Sequence, residues 1–269
     1  EEGWERRGSP FSTVFAERRA SLCLLSGLTN ARYHGFFALL APSFHSGRRE
    51  VFLAASDQWP GRIELSPSGK LYWRGARNSV SWFSLANVIY TVSSRRKLRL
   101  SDGVSALGGS HAKPYFVKRG RICLLGGSLR SQRWGELARL PRGCRPQGRL
   151  VFSVENRGFS ARVDVTSDGR VLLMGGYGRD PRISLGGVCF SLDGGLPLAL
   201  ANGWSNLGLG RQKAYIARQG DLLVLGGSLE WGDSPHLGTL PVNSRPKKRK
   251  VFLVNNGNQA ARVDLSPEG

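Results

Sequence analysis

The chain repeats itself at an interval of 100 residues, and this period limits the folds that it can adopt. Alignment at this interval needs no gap, and it brings the following residues into register: Val51, Val151 and Val251; Phe52, Phe152 and Phe252; Arg62, Arg162 and Arg262; Gly69, Gly169 and Gly269. A fixed period is the signature of one structural unit used several times, and this period is longer than that of solenoid coils or propeller blades. It matches the size of a small domain. We therefore predict three tandem domains, at 1–100, 101–200 and 201–269.

The third repeat is shorter than the other two. Its last residue, Gly269, aligns with Gly69 and Gly169, so the residues that match 70–100 and 170–200 have no counterpart in it. Two explanations are open: the sequence is a piece of a longer repeat array, or a neighbouring copy or chain completes the third repeat by strand addition. Without such a partner, we expect the third repeat to be the least stable of the three.

The middle repeat shows the pattern of an antiparallel β protein. Short apolar runs are separated by Gly, Pro, Asp and Ser, and residues 161–165 (Ala-Arg-Val-Asp-Val) alternate with period two before the turn 166–169 (Thr-Ser-Asp-Gly). Helical periodicity is nearly absent. About seven or eight short strands with such turns are typical of a sandwich or jelly roll. We therefore predict an all-β protein of three tandem antiparallel β-sandwich (jelly-roll-like) repeats, the third incomplete.

The chain carries a large positive charge. It has 39 Lys and Arg against 19 Asp and Glu, a formal net charge of +20, and the excess is spread over all three repeats. Arginine supplies most of it, and its guanidinium group suits bidentate contact with phosphate, sulfate or carboxylate. A compositional bias of the genome is the alternative explanation. The charge itself predicts salt-sensitive binding to polyanions.

The cysteines and histidines form no recognisable metal or catalytic motif. Cys23 and Cys123 occupy the same repeat position, where the third repeat has Leu223, and this exchange indicates a core position. It argues against a disulfide framework and against zinc, although a bridge between Cys123 and Cys189 stays open. The histidines fall at unrelated repeat positions, and no Ser or Cys has a partner base. We therefore expect no catalysis, no metal and no cofactor.

Charged pairs and tryptophans are the candidate ligand-binding residues. In each repeat an arginine precedes an acid by two positions, and residues two apart share one face of a strand. Such a pair can hold a polar ligand, or it can be an ion pair on the solvent face of the sheet. Two tryptophans at matched positions can stack on a sugar or base, or can pack the first strand onto its sheet. These candidates are Arg62 with Glu64, Arg162 with Asp164, Arg262 with Asp264, and Trp4 with Trp204.

A cationic segment stands before one strand of the third repeat. Residues 245–251 (Arg-Pro-Lys-Lys-Arg-Lys-Val) resemble a nuclear localisation signal, but 145–151 and 45–51 fill the same place in the other repeats. The segment is therefore better interpreted as the beginning of a strand that carries extra charge. Its candidate polyanion-binding patch consists of Arg245, Lys247, Lys248, Arg249 and Lys250.

The assembled repeat resembles a known domain. It reads Gly-Trp, a Tyr strand, Leu-x-Gly-Gly, Leu-Pro-x-x-x-Arg-Pro, Val-Phe-x-Val, Ala-Arg-Val-Asp-Val, a Gly turn and Ser-Leu-x-Gly-Val-x-Phe. This pattern resembles the small β-sandwich domain at the tips of phage tail fibres and in some collagen-tailed or surface proteins of microbes. The first repeat departs from it most, at 41–44 (Ala-Pro-Ser-Phe). The resemblance implies a receptor- or glycan-binding module, often trimeric.

We therefore expect a non-enzymatic structural or recognition protein that forms or decorates a filament or surface and binds glycans or partner chains. Its place would be outside the cell or at the cell surface. The alternative is a basic RNA-binding or accessory subunit of a large nucleoprotein complex, for example in an organelle matrix. The net charge favours this alternative, but basic residues interleaved with aromatics do not recur as a groove would require. No apolar run is long enough to span a membrane.

Overall fold

The computed structural model describes residues 5–6 by their backbone, and residues 10–30, 34–75, 80–176 and 181–269 in full. Within these residues the chain consists of β-strands and three short 3-10 turns. No helix among them is long and apolar enough to cross a membrane. The all-β prediction is confirmed.

We use unit one, two and three for the sequence repeats 1–100, 101–200 and 201–269. The strands of unit one are β1 Glu5–Arg6, β2 Phe15–Arg19, β3 Leu22–Ser26, β4 Leu28–Asn30, β5 Gly35–Leu39, β6 Glu50–Ala54, β7 Gly61–Leu65, β8 Lys70–Gly75, β9 Trp82–Ser84, β10 Ile89–Thr91, β11 Arg96–Lys97 and β12 Arg99–Leu100. The strands of unit two are β13 Val104–Ala106, β14 Tyr115–Arg119, β15 Ile122–Gly126, β16 Ser128–Ser131, β17 Gly135–Arg139, β18 Leu150–Asn156, β19 Phe159–Val165, β20 Arg170–Gly176, β21 Arg182–Ser184, β22 Cys189–Ser191 and β23 Leu196–Pro197. Those of unit three are β24 Ser205–Asn206, β25 Tyr215–Gln219, β26 Leu222–Gly226, β27 Leu229–Glu230, β28 Lys250–Asn256 and β29 Gln259–Leu265. The 3-10 turns are Pro42–Phe44, Arg142–Cys144 and Val242–Ser244.

Equivalent strands recur 100 residues apart. The hairpins β2–β3, β14–β15 and β25–β26 have the same bounds within their units. The longer hairpins β6–β7, β18–β19 and β28–β29 follow each 3-10 turn in the same order. The strands β11, β12 and β23 pair with the unit that follows them, so the pairing passes to the next unit shortly before positions 100 and 200. The division into three separate sandwich domains stays a prediction.

The sheets differ between the units. Unit one has the strand orders β5-β8-β7-β6, β10-β3-β2 and β1-β4-β9. In unit two the order β12-β17-β20-β19-β18-β21-β16-β13 forms one large sheet, and β11-β14-β15-β22 forms a second. Apolar side chains from both sheets of unit two form one buried cluster, with Leu125, Val163, Leu173, Leu185 and Phe190 among its members. Unit three has the smaller sets β23-β25-β26, β24-β27 and β28-β29.

Three short backbone seams close the units into a ring. The seams join equivalent positions of successive units, and their bridged residues are Arg49 with His111, Arg149 with Arg211, and Arg249 with Phe11. The two backbone hydrogen bonds of each seam measure 2.8 and 2.9 Å at Arg49, 3.0 and 2.9 Å at Arg149, and 3.2 and 3.1 Å at Arg249. Because the last seam returns from unit three to unit one, the chain closes with approximate threefold symmetry and is not an open string.

The strands β6, β18 and β28 contact one another at the centre of this ring. Side chains of neighbouring units hold them in place: Ser184 Oγ donates to the Val51 carbonyl at 2.6 Å, and Ser84 Oγ donates to the Val251 carbonyl at 2.7 Å. Gly186 approaches the same Val51 carbonyl so closely that a Cβ at this position would lie 2.2 Å from the oxygen. A glycine is therefore required where units one and two meet.

The structure corrects the argument against a disulfide. Cys123 is bonded to Cys144, with a Cα–Cα distance of 5.6 Å, while Cys23 and Cys189 are free thiols. The bridge therefore does not join Cys123 to Cys189. The reason lies in the fold, which places the strand of Cys123 beside the 3-10 turn that ends at Cys144. A core position can thus also be a bridging position, which the exchange of Cys for Leu could not show.

Positions 61 and 73 change together between units one and two. In unit one, Gly61 lies against the Trp73 ring, and a Cβ at Gly61 would come within 2.0 Å of Trp73 Cη2. The ring in turn stacks on Phe83 at a centroid distance of 4.3 Å. Unit two has Ala161 and Leu173 at the same positions, both in its core cluster. The larger residue on one strand is accommodated by the smaller residue on the other.

We expect Gly61→Ala to destabilise the protein by about 1–3 kcal/mol because the added methyl overlaps the Trp73 ring. Combined with Trp73→Leu, the same change recreates the pair found in unit two and should recover much of that loss. Denaturant unfolding of both single variants and the double variant measures the coupling. If the losses in the free energy of unfolding of the two single variants simply add in the double variant, the packing described here is contradicted.

Candidate functional site

Each predicted arginine binds the acid two positions along its own strand. The shortest distances are 2.8 Å from Arg62 to Glu64, 2.7 Å from Arg162 to Asp164, and 2.5 Å from Arg262 to Asp264. The hydrogen bonds that Arg162 and Arg262 donate to Asp164 and Asp264 raise the pKa of both arginines, because the carboxylate acceptors favour the charged guanidinium. All three predicted pairs are therefore ion pairs in the structure.

These ion pairs point toward neighbouring units rather than toward the open face of a sheet. Their contacts across the ring are Arg62 to Glu155 at 3.6 Å, Arg162 to Asn258 at 3.3 Å, and Arg262 over the Trp82 ring at 4.9 Å. Within unit two, Arg149 at the seam also binds Asp164, at 2.6 Å. These guanidinium groups and carboxylates thus have protein partners within and between the units. Ligand binding by these residues stays a prediction.

Of the two tryptophans predicted from the sequence, the structure describes only Trp204. Trp4 lies outside the described residues. Trp204 packs edge-on against Trp231, with ring centroids 5.0 Å apart, and its Nε1 donates to the Ser234 carbonyl at 2.7 Å. The Trp231 ring is 79% exposed. Trp204 therefore packs against Trp231, and the Trp231 ring is the one accessible to a ligand.

Polar groups lie in the loops beside these two rings. The Asn202 side-chain amide donates to the His236 carbonyl at 2.7 Å, and Thr239 Oγ1 lies 3.3 Å from the His236 ring. The backbone N–H of Asp233 donates to the Asn202 carbonyl at 2.8 Å. We call Asn202, Trp204, Trp231, Asp233 and His236 the tryptophan platform.

Other large aromatic side chains are also exposed at loops and hairpin tips. Within the described part of the chain, the large aromatic side chains that are at least half exposed are Trp59, Trp134, Phe159 and Trp231. In unit two the relevant loops meet, because Ser131 donates to the Pro181 carbonyl and Asn156 donates to the Arg182 carbonyl. The threefold arrangement places the matching loops of all units at this same end. A shared repeat position does not select Trp134 and Trp231, but both lie in the loop at 31–35 of the repeat, which was the available signal; Trp59 and Phe159 lie at position 59.

The structure separates the cationic segment into residues with different roles. The Arg245 side chain donates to the Leu240 carbonyl at 2.9 Å, and the Arg249 guanidinium lies over the Phe11 ring at 5.9 Å. Lys250 Nζ donates to Ser26 Oγ at 2.8 Å. The exposed cations of the segment are Lys247 and Lys248. Arg249 and Lys250 are therefore part of the seam between units three and one, whereas Arg245 is held within unit three.

Position 50 of the repeat lies at each seam and differs in chemistry from unit to unit. In unit one, Glu50 is buried, accepts a hydrogen bond from Tyr115 Oη at 3.2 Å and lies 2.9 Å from Arg95. Burial raises the pKa of Glu50 to about 7, although the Arg95 charge and the Tyr115 hydrogen bond act in the opposite direction. Unit two has Leu150 here. In unit three, burial lowers the pKa of Lys250.

A cleft of about 450 Å³ opens at the seam between units two and three. At the matching seam between units one and two, the Arg95 guanidinium lies over the Tyr115 ring at 4.8 Å. Gly195 stands at the position of Arg95 and leaves the space beside Tyr215 open. The amides of Gln147, Asn206 and Gln212 are among the groups that line it. Among the described residues, Gln212 Oε1 is buried without a hydrogen-bond partner.

The matched acids of units two and three should differ in their effect on stability. Asp164 is fully buried between two arginines, whereas Asp264 is 27% exposed. We expect Asp164→Asn to lower the free energy of unfolding by about 2–4 kcal/mol, because its loss leaves nearby guanidinium groups without a counter-charge. Asp264→Asn should change it by less than about 1 kcal/mol. Urea unfolding at pH 7 compares them, and equal losses would contradict the burial difference.

Because the pKa of Glu50 is raised in the folded protein, the free energy of unfolding should fall as the pH rises. The pKa of Glu50 is about 7 in the folded protein and 4.5 ordinarily. The contribution of Glu50 to the free energy of unfolding is therefore complete below pH 4.5 and is lost as the pH rises through 7. The decline should reach about 3 kcal/mol. Glu50→Gln should remove this part of the slope, and the exposed control Glu230→Gln should keep it. Parallel stability curves for wild type and Glu50→Gln would show that this carboxyl does not titrate as described.

Among the described residues, no three His, Cys, Asp or Glu side chains converge in a way that could hold a metal ion. Comparisons of the chain with protein-family models, with curated proteins and with solved structures found no match. The resemblance to phage tail-fibre and microbial surface domains rests on the sequence motifs and stays a prediction.

Proposed function

We propose that this chain is a non-enzymatic recognition protein that binds glycans through the end of the ring carrying the tryptophan platform. The supporting observation is the Trp231 ring, which is 79% exposed while Trp204 holds it from the side. An indole of this kind offers a rigid apolar face with little entropy left to lose on binding. The apolar face of a sugar ring is a matching surface.

The surrounding polar groups suit a hydroxyl-rich ligand. Asn202, Asp233 and His236 offer amide, carboxylate and imidazole groups beside the rings. Binding sites for small molecules commonly combine aromatic walls with a few polar groups that fix orientation. A sugar hydroxyl can donate to the Asp233 carboxylate or to the Asn202 side-chain oxygen. The platform therefore favours a neutral or basic sugar over a strongly anionic one.

The ring geometry supports binding to a surface with repeated ligands. Trp59, Trp134 and Trp231 are exposed in loops of units one, two and three. The loop of Trp59 contacts Ser81 and the loop of Trp134 contacts Pro181, at the matching position, so these loops lie at the same end of the ring. Several weak contacts on one rigid body gain affinity through their high effective concentration. This arrangement fits a protein that forms or decorates a filament or surface outside the cell.

The second candidate function is binding to RNA within a nucleoprotein complex, and the net charge of +20 favours it. Contacts to phosphate make the affinity fall steeply with salt. Several arginines already have acidic partners, including Arg62, Arg149, Arg162 and Arg262. We therefore place RNA, and a location in an organelle matrix, behind glycan recognition.

Trp231→Ala should weaken binding to the preferred glycan by about tenfold or more, since it removes the exposed ring without disturbing the core. Val242→Ala, at an exposed residue in the 3-10 turn of unit three, is the matched control and should leave affinity unchanged. Titration against neutral glycans, sulfated glycans and RNA at several salt concentrations measures the effect. A steep salt dependence with RNA alone would favour the second candidate, and loss with Gln212→Leu alone would move the site to the cleft.

A further inference from the structure

The cleft at the seam between units two and three contains side-chain amides that the matching seam lacks. It is lined by the amides of Gln147, Asn206 and Gln212. At the seam between units one and two, the matching residues have no polar side chain: Gly47, Ala106 and Ala112. Both seams are nevertheless closed by the same pair of backbone hydrogen bonds. The three amides are therefore not needed to join the units.

The Gln212 side chain has an unpaired oxygen atom at this cleft. Gln212 Oε1 is buried and has no hydrogen-bond partner among the described residues. Its Nε2 and the Oε1 of Gln147 converge on Gly194, where a Cβ would lie 3.0 and 3.2 Å from them. Asn206 Oδ1 accepts the N–H of Ala214 at 2.7 Å, so the amide of Asn206 keeps its NH2 group as a donor. A buried acceptor without a partner is costly, and a ligand N–H can satisfy it.

The same cleft carries positive charge without an acid beside it. Arg211 and Lys213 line it, and no Asp or Glu of the described chain does. Two other arginines, Arg149 and Arg162, already bind Asp164, at 2.6 and 2.7 Å. Burial and the charges of Arg162 and Arg149 lower the pKa of Arg211, although Asp164 acts in the opposite direction. A negative charge on a ligand would therefore be favourable beside Arg211.

The rim of the cleft is apolar where the matching seam is cationic. Residues 95–97 are Arg-Arg-Lys, whereas residues 195–197 are Gly-Leu-Pro. Leu196 and Leu209 precede the lining residues Pro197 and Gly210, and both leucine side chains are strongly exposed. Tyr215 also lines the cleft. These side chains offer contact to a methyl group of a ligand.

A cation of the kind that fills the other seam does not fit this cleft. At the seam between units one and two, Arg95 lies 2.9 Å from Glu50. The residue that matches Glu50 in unit two is Leu150. A guanidinium group in the cleft would therefore lack a counter-charge, and Arg211 would repel it. The cleft instead favours an anionic ligand that also has hydrogen-bonding groups.

We propose that this cleft is a second ligand site, separate from the tryptophan platform, and that it binds a small molecule with both a carboxylate and an N-acyl group. The carboxylate pairs with Arg211 and Lys213. The N–H of the acyl group donates to Gln212 Oε1, and the NH2 group of Asn206 donates to the acyl carbonyl. The acyl methyl packs against Tyr215 and the apolar rim. The volume of about 450 Å³ is that of a small-molecule site, and no platform residue lines it.

Acidic amino sugars and N-acylated amino acids both carry these two groups, so one ligand of each kind tests the site with the full chain. Either N-acetylneuraminic acid or N-acetylalanine, or both, should bind one site per chain in isothermal titration, and the comparison tells a sugar from an amino-acid source. Bound ligand should slow hydrogen exchange in 211–215. The methyl ester of the ligand, and the analogue with a hydroxyl in place of the N-acyl group, should each bind about tenfold more weakly.

Two protein variants locate the site. Gln212→Leu removes the unpaired oxygen, and Arg211→Met removes the cation; each should weaken binding about tenfold or more. Both should stay folded in urea unfolding, because Gln212 Oε1 has no hydrogen bond to lose. Arg96→Met, which removes an exposed arginine at the other seam, is the control and should bind as wild type does.

Three results would each overturn the proposal. The first is that neither N-acetylneuraminic acid nor N-acetylalanine binds. The second is that the ester or the hydroxyl analogue binds as tightly as the parent ligand. The third is that Gln212→Leu or Arg211→Met keeps the wild-type affinity, or that the slowed hydrogen exchange lies outside unit three.

Discussion

The backbone pairing at position 49 of each repeat is the constraint on which the rest of the structure depends. At Arg49, Arg149 and Arg249 the chain pairs with the following unit, and the last of these seams returns to residue 11. Once the seams are in place, the strands β6, β18 and β28 must meet at the centre. The ion pairs of β7, β19 and β29 are then turned toward neighbouring units. The paired arginines and acids, which the sequence suggests as a ligand site, therefore also make contacts between neighbouring units.

A threefold ring built from one chain can vary each copy of a contact independently. Position 50 is Glu50 against Tyr115 and Arg95, Leu150 in the second unit, and Lys250 against Phe15 in the third, where its Nζ lies 4.8 Å from the ring centroid. The seam between units two and three has Gly195 where unit one has Arg95, and the cleft beside Tyr215 lies in the space that an arginine side chain would fill. A homotrimer cannot do this, because every change would appear in all three copies. The asymmetry of charge, cleft and tryptophan platform follows from the single chain.

The strands could be predicted from the sequence because their signals are local. The alternating segment 161–165 lies within β19, the apolar run at 150–154 lies within β18, and Gly169 adopts a positive φ of 91° in the predicted turn. The ring closure, the bridge from Cys123 to Cys144 and the burial of Asp164 could not be predicted. Each depends on which segments meet in space, and a single sequence with a repeat does not say whether successive units form a string or a ring. The exposure of Trp231 likewise depends on the loop that carries it.

Hydrogen exchange at the three seams tests the ring most directly. The amides of Ser12 and Arg249 donate across the seam between units three and one, as those of Arg49 and Ala112, and of Arg149 and Gln212, do at the other two. A closed ring predicts slow exchange at all six amides of the free protein. Rapid exchange at Ser12 and Arg249, with protection kept at the other four, would show an open string and contradict the account.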